Sequence, residues 1–205
     1  AASDVYKRQA VEHLDLWDGY RKHVHRFLPA SLLDGTVRLK VAVDASNGMA
    51  GTMVPKVFSG LAGLELIELH FENQQGSFVH EPNPLVESNL RWTQEAVREH
   101  GCDFGVCFDG DADRCVLVDE QGTSVGCDLA TAWLAPSFLT HGGGVVYDLR
   151  SSKILPETVT SAGGEPHLSR VGHVFMKSKM KETGSSFGGE PVSYTHLTLP
   201  TNTAG

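Results

Sequence analysis

Apolar positions give the first reading of this chain. Leu14, Trp17, Tyr20, Val24, Phe27 and Leu28 recur at helical spacing and predict an amphipathic opening helix. Val37, Leu39, Val41 and Val43 then alternate with Arg38, Lys40 and Ala42, predicting a strand that ends at Asp44. A turn through Ser46, Asn47 and Gly48 leads to a helix face made by Val54, Val57, Phe58 and Leu61, with Pro55 near its start. A second strand is expected over 64–69 and an irregular loop over 71–84, where two prolines interrupt any period. Residues 85–100 read as a helix started by Pro84 and closed by Gly101, a residue suited to the left-handed cap.

Short apolar runs at 104–108 and 115–118 predict buried strands, the second closed by a turn at 120–122. Helical character returns across 129–139, a Gly142-Gly143-Gly144 break precedes a strand at 145–147, and Ile154 and Leu155 sit in a further helix candidate. Strands alternating with helices imply an α/β fold with parallel strands. The pattern repeats on either side of residue 125, so the expectation is two related α/β/α subdomains with mixed, mainly parallel sheets, over 10–124 and 125–190.

The ends do not follow these patterns. Residues 1–9 and 191–205 lack amphipathic period and caps. S-D-V-Y-K-R-Q at 3–9 and P-V-S-Y-T-H-L-T-L-P-T-N at 191–202 resemble translated sequencing-adapter read-through, with a genuine disordered terminus as the alternative.

Composition changes this picture little. Hydrophobic residues make up 40% of the 205 positions and charged ones 20%, enough apolar surface for a core. The net charge of −8, without a basic run, argues against nonspecific nucleic-acid binding. Cys102, Cys107, Cys115 and Cys127 show no C-x-x-C spacing, which argues against structural zinc. No apolar stretch reaches the roughly 20 residues of a membrane span, so a soluble, cytoplasmic protein is expected.

The candidate chemistry lies at Asp109-Gly110-Asp111-Ala112-Asp113-Arg114. Three carboxylates at alternate positions of a tight turn can converge on one point, where their mutual repulsion is relieved by a bound dication. Hard oxygen donors select magnesium or calcium. The strand at 104–108 delivers this loop to a sheet edge, the usual ligand position in open α/β folds, and Arg114 can take a phosphate oxygen. Three other readings compete. The loop could be a solvated acidic turn. It could be a calcium loop, with Asp109, Asp111, Asp113 and Glu120 in register but Arg114 where that loop needs glycine. It could belong to a phosphatase using Asp109 as nucleophile, although such enzymes usually carry threonine or valine at the position of Asp113.

D-G-D-A-D-R at 109–114 resembles the metal loop of the alpha-D-phosphohexomutases. The likeness extends to V-A-V-D-A-S-N-G-M-A-G at 41–51, H-E-P-N-P at 80–84, K-M-K-E-T-G at 179–184 and F-G-G-E at 187–190, in family order. The resemblance implies the second domain and most of the third of a four-domain enzyme. The motif of the phosphoserine domain and the fourth domain find no counterpart in these residues. It implies that Mg²⁺ is held by Asp109, Asp111 and Asp113, that Arg114 supports the transferred phosphoryl group, and that Glu190 binds the hydroxyls of a phosphorylated hexose. Arg150 falls where relatives carry a cationic active-site residue, often lysine, and His173 where they place a histidine facing the substrate. For Arg150 a surface cation and for His173 a solvated loop histidine stay open. The implied reaction moves a phosphoryl group between enzyme serine and sugar through a bisphosphorylated intermediate. The fragment alone is expected to be inactive. His23 and His25 make an improbable metal pair, and Gly142 to Gly144 suits a turn better than a phosphate cradle.

Overall fold

The computed structural model describes residues 12, 14–74, 76–139 and 143–190, so both adapter-like ends lie outside the described residues. The opening helix, α1 (Trp17–His25), and a single turn, α2 (Ala30–Leu33), lead into β1 (Leu39–Asp44), α3 (Ala50–Phe58), β2 (Leu64–Leu69), α4 (Arg91–His100), β3 (Phe104–Phe108), β4 (Cys115–Val118) and β5 (Ser124–Val125). These strands form one sheet in the order β2-β1-β3-β4-β5. Strand β1 runs parallel to both β2 and β3, whereas β4 and β5 join antiparallel.

The alternation expected for β1 gives way to burial on both faces, because a helix covers each side. Val41 and Val43 pack with Ala50 and Val54 of α3, while Ala42 packs with Ala96 and Val97 of α4. At roughly 1.5–3 kcal/mol for each fully buried large aliphatic side chain, these two seams hold the three layers together. Edge strand β2 carries Glu65, which pairs with Lys40 at 3.1 Å and keeps the edge charged.

The second sheet is built from β6 (Gly144–Asp148), β7 (Glu165–Ser169) and β8 (Phe187–Gly189), all parallel, in the order β7-β6-β8. Helices α5 (Cys127–Leu134) and α6 (Ile154–Ser161) supply Ala132, Leu155 and Val159 to one face, against Val145 and Phe187. Helix α7 (His173–Thr183) supplies Met176 and Met180 to the other, against Val146. The chain thus holds two α/β/α layered units, one with a mixed five-stranded sheet and one with a parallel three-stranded sheet.

Several elements differ from expectation. Strand β1 starts at Leu39, since the N–H of Val37 bonds instead to Ser31. Helix α4 starts at Arg91; residues 87–89 form a 3₁₀ turn, where the Asn83 side chain accepts from Leu85 and Asn89 donates to the Asn83 carbonyl. Such local side-chain bonds compete with a regular helix start. Gly101 does cap α4, with φ 60°. Helix α5 yields to a 3₁₀ turn at Ala135–Phe138, where Pro136 cannot continue the ladder. Helix α1 spans only Trp17–His25, so Leu14 and Phe27 of the expected face lie outside it, and both are exposed together with Tyr20: period identifies an apolar face but not what covers it. Of the glycine run, Gly142 lies outside the described residues. Gly144 opens β6, and a Cβ there would overlap the His167 ring and the Ser185 hydroxyl, so close packing explains it.

Candidate active site

The acidic loop is the hairpin between β3 and β4, with Phe108 paired to Cys115 at its base. Strands therefore flank it, which removes the helix–loop–helix calcium module. The N–H of Asp109 donates to the Arg114 carbonyl at 3.1 Å, and the Ala112 N–H donates to the Asp109 carbonyl at 3.3 Å. Ala112 takes a left-handed φ of 62°, uncommon for a residue with a Cβ, and this curls the loop onto itself. As a result one carboxylate oxygen from each of Asp109, Asp111 and Asp113 falls within 4.8 Å of the others. Asp109 is buried, and Asp111 and Asp113 are exposed.

Arg114 closes the cluster. Its Nε donates to Asp109 Oδ2 at 2.7 Å and its backbone N–H to Oδ1 at 3.1 Å, and Nε lies 3.5 Å from Asp113 Oδ1. Both oxygens of Asp109 are thus engaged by one residue, which argues against a free nucleophile. Burial pushes the Asp109 carboxyl above the ordinary carboxylate range. The Arg114 backbone N–H and guanidinium oppose this rise, and the neighbouring Asp111 carboxyl adds to it. Neutralisation by a dication would relieve that crowding, and the all-oxygen donor set fits magnesium.

Two motifs from elsewhere in the chain brace the loop. Met49 donates its N–H to the Gly110 carbonyl at 2.9 Å, and the Ser46 hydroxyl donates to the Phe108 carbonyl at 2.5 Å. A Cβ on Gly48 would overlap the backbone of Gly110, so only glycine permits this approach. Gly110 in turn faces Pro82 of H-E-P-N-P.

The other candidates gather at the C-terminal edge of the second sheet, the ligand-binding edge of open α/β sheets. Arg150 follows β6, His173 follows β7 as the first residue of α7, and Glu190 follows β8. Arg150 is tied to the fully buried Asp148, Nη2 to Oδ2 at 2.6 Å and Nε at 3.1 Å, and lies 3.6 Å from Glu190 Oε2. The other Glu190 oxygen accepts the Gly172 N–H at 3.1 Å. Arg150 is therefore an anchored cation rather than a loose surface one. His173 is an exposed helix-start residue rather than a loop residue. K-M-K-E-T-G closes α7, with Gly184 as its left-handed cap. His23 contacts Phe27 and His25 bonds to the Val57 carbonyl, so the two have separate partners.

Sequence reasoning missed Asp148, the anchor of Arg150, although it lies only two residues away. It also missed Gly172, whose φ of 115° was hidden in V-G-H, and the group formed by buried Asp44 and His80 with half-buried His70.

Residues 18–122 match the family model for phosphoglucomutase/phosphomannomutase alpha/beta/alpha domain II, and residues 121–205 match that for domain III. Phosphomannomutase of Escherichia coli K12 is 36% identical over 194 residues, covering 91% of this chain and 42% of the relative. A phosphoglucomutase/phosphomannomutase family protein from Burkholderia thailandensis superposes with a TM-score of 0.79 at 29% identity, over 92% of this chain and 40% of that one. The fold also recurs, at TM-score 0.57 and 16% identity over 90% of this chain and 39% of the other, in Aspergillus fumigatus N-acetylphosphoglucosamine mutase solved with GlcNAc-6P and magnesium. The chain spans about two fifths of the length of these relatives. Among the described residues no helix is long and apolar enough to cross a membrane. The chain belongs to the phosphoglucomutase/phosphomannomutase family, the alpha-D-phosphohexomutases, and carries its second and third α/β/α domains.

Proposed function

We propose that this chain supplies the metal loop and the sugar-facing edge of a phosphohexose mutase that interconverts hexose 1- and 6-phosphates. The observation that carries the reading is the convergence of Asp109, Asp111 and Asp113 beside Arg114 at the C-terminal end of β3. The relatives support the substrate class: one is named a phosphomannomutase and another was solved with a phosphorylated amino sugar and magnesium.

In this reading Asp109, Asp111 and Asp113 hold Mg²⁺. Bound there, the ion supplies Lewis-acid stabilisation of charge on a phosphoryl group. The chain's own residues do the rest. Arg114, fixed by Asp109, presents positive charge beside the transferred group. Arg150 and Glu190, fixed by Asp148 and Gly172, offer a cation and an acceptor to the sugar phosphate. Arginine stays protonated, so Arg150 binds rather than relays protons. His173 accepts and returns the proton of the reacting sugar hydroxyl. The donor phosphoserine belongs to another part of the whole protein, and the 205-residue chain by itself is inactive.

The test is mannose and glucose 1-phosphate turnover by a protein of full family length, with and without the combined substitution Asp109→Asn, Asp111→Asn and Asp113→Asn. Undiminished turnover after all three loop carboxylates are replaced would falsify the reading.

A further inference from the structure

A second cluster of ligating side chains lies outside the carboxylate loop. Asp44 ends β1, His70 follows β2 and His80 opens H-E-P-N-P, and one ligand atom from each falls within 4.8 Å of the others. Asp44 is fully buried and His80 nearly so, whereas the His70 side chain keeps 15% exposure, leaving one side of the cluster open to water.

The hydrogen bonding shows what this group requires. Asp44 Oδ1 accepts from the Ser46 N–H at 2.8 Å and faces His70 Nδ1 at 3.0 Å, while Oδ2 faces His80 Nε2 at 3.2 Å. The other nitrogen of His80, Nδ1, faces the Glu81 carbonyl at 2.9 Å. A carbonyl oxygen only accepts, so Nδ1 carries its proton, and the neutral ring then aims a lone pair from Nε2 at a carboxylate. That contact is repulsive unless Nε2 holds a second positive species, either another proton or a metal cation. A backbone carbonyl on the far nitrogen is also the usual support for a metal-ligating histidine, because it fixes both tautomer and ring orientation.

Two further features hold the rings in place. Trp92 stacks on His80 at 4.6 Å and meets His70 edge-on at 5.5 Å, forming an apolar wall. His70 itself takes a left-handed φ of 53°, a conformation disfavoured for a residue with a Cβ, and from it the ring reaches Asp44.

We propose that Asp44, His70 and His80 form a second cation site, distinct from the carboxylate loop, that takes a zinc-class divalent transition ion. Two imidazoles and one carboxylate form the donor set of a three-ligand zinc site with a remaining position for water, and imidazole nitrogen disfavours Mg²⁺. Tetrahedral bonds of roughly 2.0–2.1 Å space ligand atoms by roughly 3.3 Å. His70 Nδ1 lies 3.0 Å from Asp44 Oδ1 and His80 Nε2 3.2 Å from Oδ2, so an ion would use one of these contacts as it stands and draw the other ring toward the shared oxygen. Binding replaces any proton on His80 Nε2 and releases it to solvent. The ion would fasten the ends of β1 and β2 to the segment bearing Pro82, which abuts the carboxylate loop at Gly110.

The test uses the whole chain, stripped of metal by chelation and held in excess Mg²⁺ so that the carboxylate loop does not compete. Titration with Zn²⁺, and with Co²⁺ as a spectroscopic probe, should show one ion per chain and visible Co²⁺ bands without thiolate charge transfer. His70→Gln should weaken uptake by more than the roughly 10–100-fold that loss of a supporting hydrogen bond costs a metal site. His80→Gln should do the same. Because His80 is buried and that variant could misfold, X-ray absorption on Zn²⁺-loaded wild-type chain provides an independent reading, expected to show two imidazoles. Absence of uptake, a thiolate band, or affinity unchanged in His70→Gln would each overturn the site, and none of these outcomes bears on Mg²⁺ at Asp109, Asp111 and Asp113.

Discussion

Met49 donates its backbone N–H to the carbonyl of Gly110 at 2.9 Å, so the turn after β1 holds the turn after β3 in place. This bond explains why two segments some sixty residues apart belong to one site. The carboxylate loop is a hairpin whose curl is imposed partly from outside, by Met49, by the Ser46 hydroxyl and by the face of Pro82.

Gly48→Ala is the direct test of that bracing. The added methyl would overlap the Gly110 backbone, so either the turn or the loop must move. Overpacking of this kind costs about 1–3 kcal/mol. The expected result is a melting temperature lower by several degrees together with weaker Mg²⁺ uptake in calorimetry. Loss of stability with unaltered Mg²⁺ affinity would show that the turn does not position the loop.

The three aspartates should separate by burial. Asp111 and Asp113 are exposed, and replacing either with asparagine should leave stability within about 0.5 kcal/mol while weakening Mg²⁺ uptake. Asp109 is buried and engages both the side chain and the backbone of Arg114, so Asp109→Asn should also lower stability, by about 1–3 kcal/mol. Denaturation midpoints measured beside calorimetric titrations would distinguish the two patterns. Equal destabilisation by all three substitutions would contradict it.

How much of this was legible beforehand depended on sequence separation. Asp109, Asp111 and Asp113 lie within five residues, and their crowding alone suggested a dication. Strand β1 was visible because Val41 and Val43 alternate, but its burial on both faces depended on α3 and α4, whose contacts no local pattern encodes. Strand β7 escaped notice because Glu-Pro-His-Leu-Ser has neither alternation nor an apolar run; its pairing with β6 is what makes it a strand. Asp44, His70 and His80 span 36 positions, so each looked like an ordinary polar residue until the fold brought them together. Arg150 was visible as a cation at a strand end, yet its orientation is set by Asp148 and Glu190, one of them forty residues downstream.

The response of the chain to pH should reverse on adding Mg²⁺. Without metal, burial holds the folded-state Asp109 pKa above its unfolded value. The folded state then takes up this proton more readily, so ionisation of Asp109, though its oxygens still serve Arg114, subtracts from stability at neutral pH, and that penalty is relieved as pH falls through the raised folded pKa. Mg²⁺ requires the deprotonated carboxylate, so its stabilising effect should be largest at neutral pH and shrink as pH falls over the same interval. Thermal melts between about pH 4 and 7, with and without saturating Mg²⁺, measure both trends. A Mg²⁺-induced rise in melting temperature that is constant across this range would show that Asp109 does not titrate against the ion.

Arg150 and Asp148 supply the last prediction. Asp148 is fully buried while the Arg150 side chain is 33% exposed, so removing the arginine strands a carboxylate in the interior. Breaking a buried pair from one side typically costs about 3–5 kcal/mol, and partial exposure places Arg150→Ala near the lower end. Arg150→Lys keeps the charge but loses the forked contact of Nε and Nη2 with Oδ2, and should fall between wild type and alanine. The double variant Asp148→Asn/Arg150→Ala removes the stranded charge as well, so it should be more stable than Arg150→Ala alone. Urea midpoints for these variants complete the cycle. A double variant no more stable than Arg150→Ala would mean that Asp148 draws its support from the backbone N–H of Arg150 rather than from the guanidinium, and that the C-terminal edge of the second sheet is organised without this ion pair.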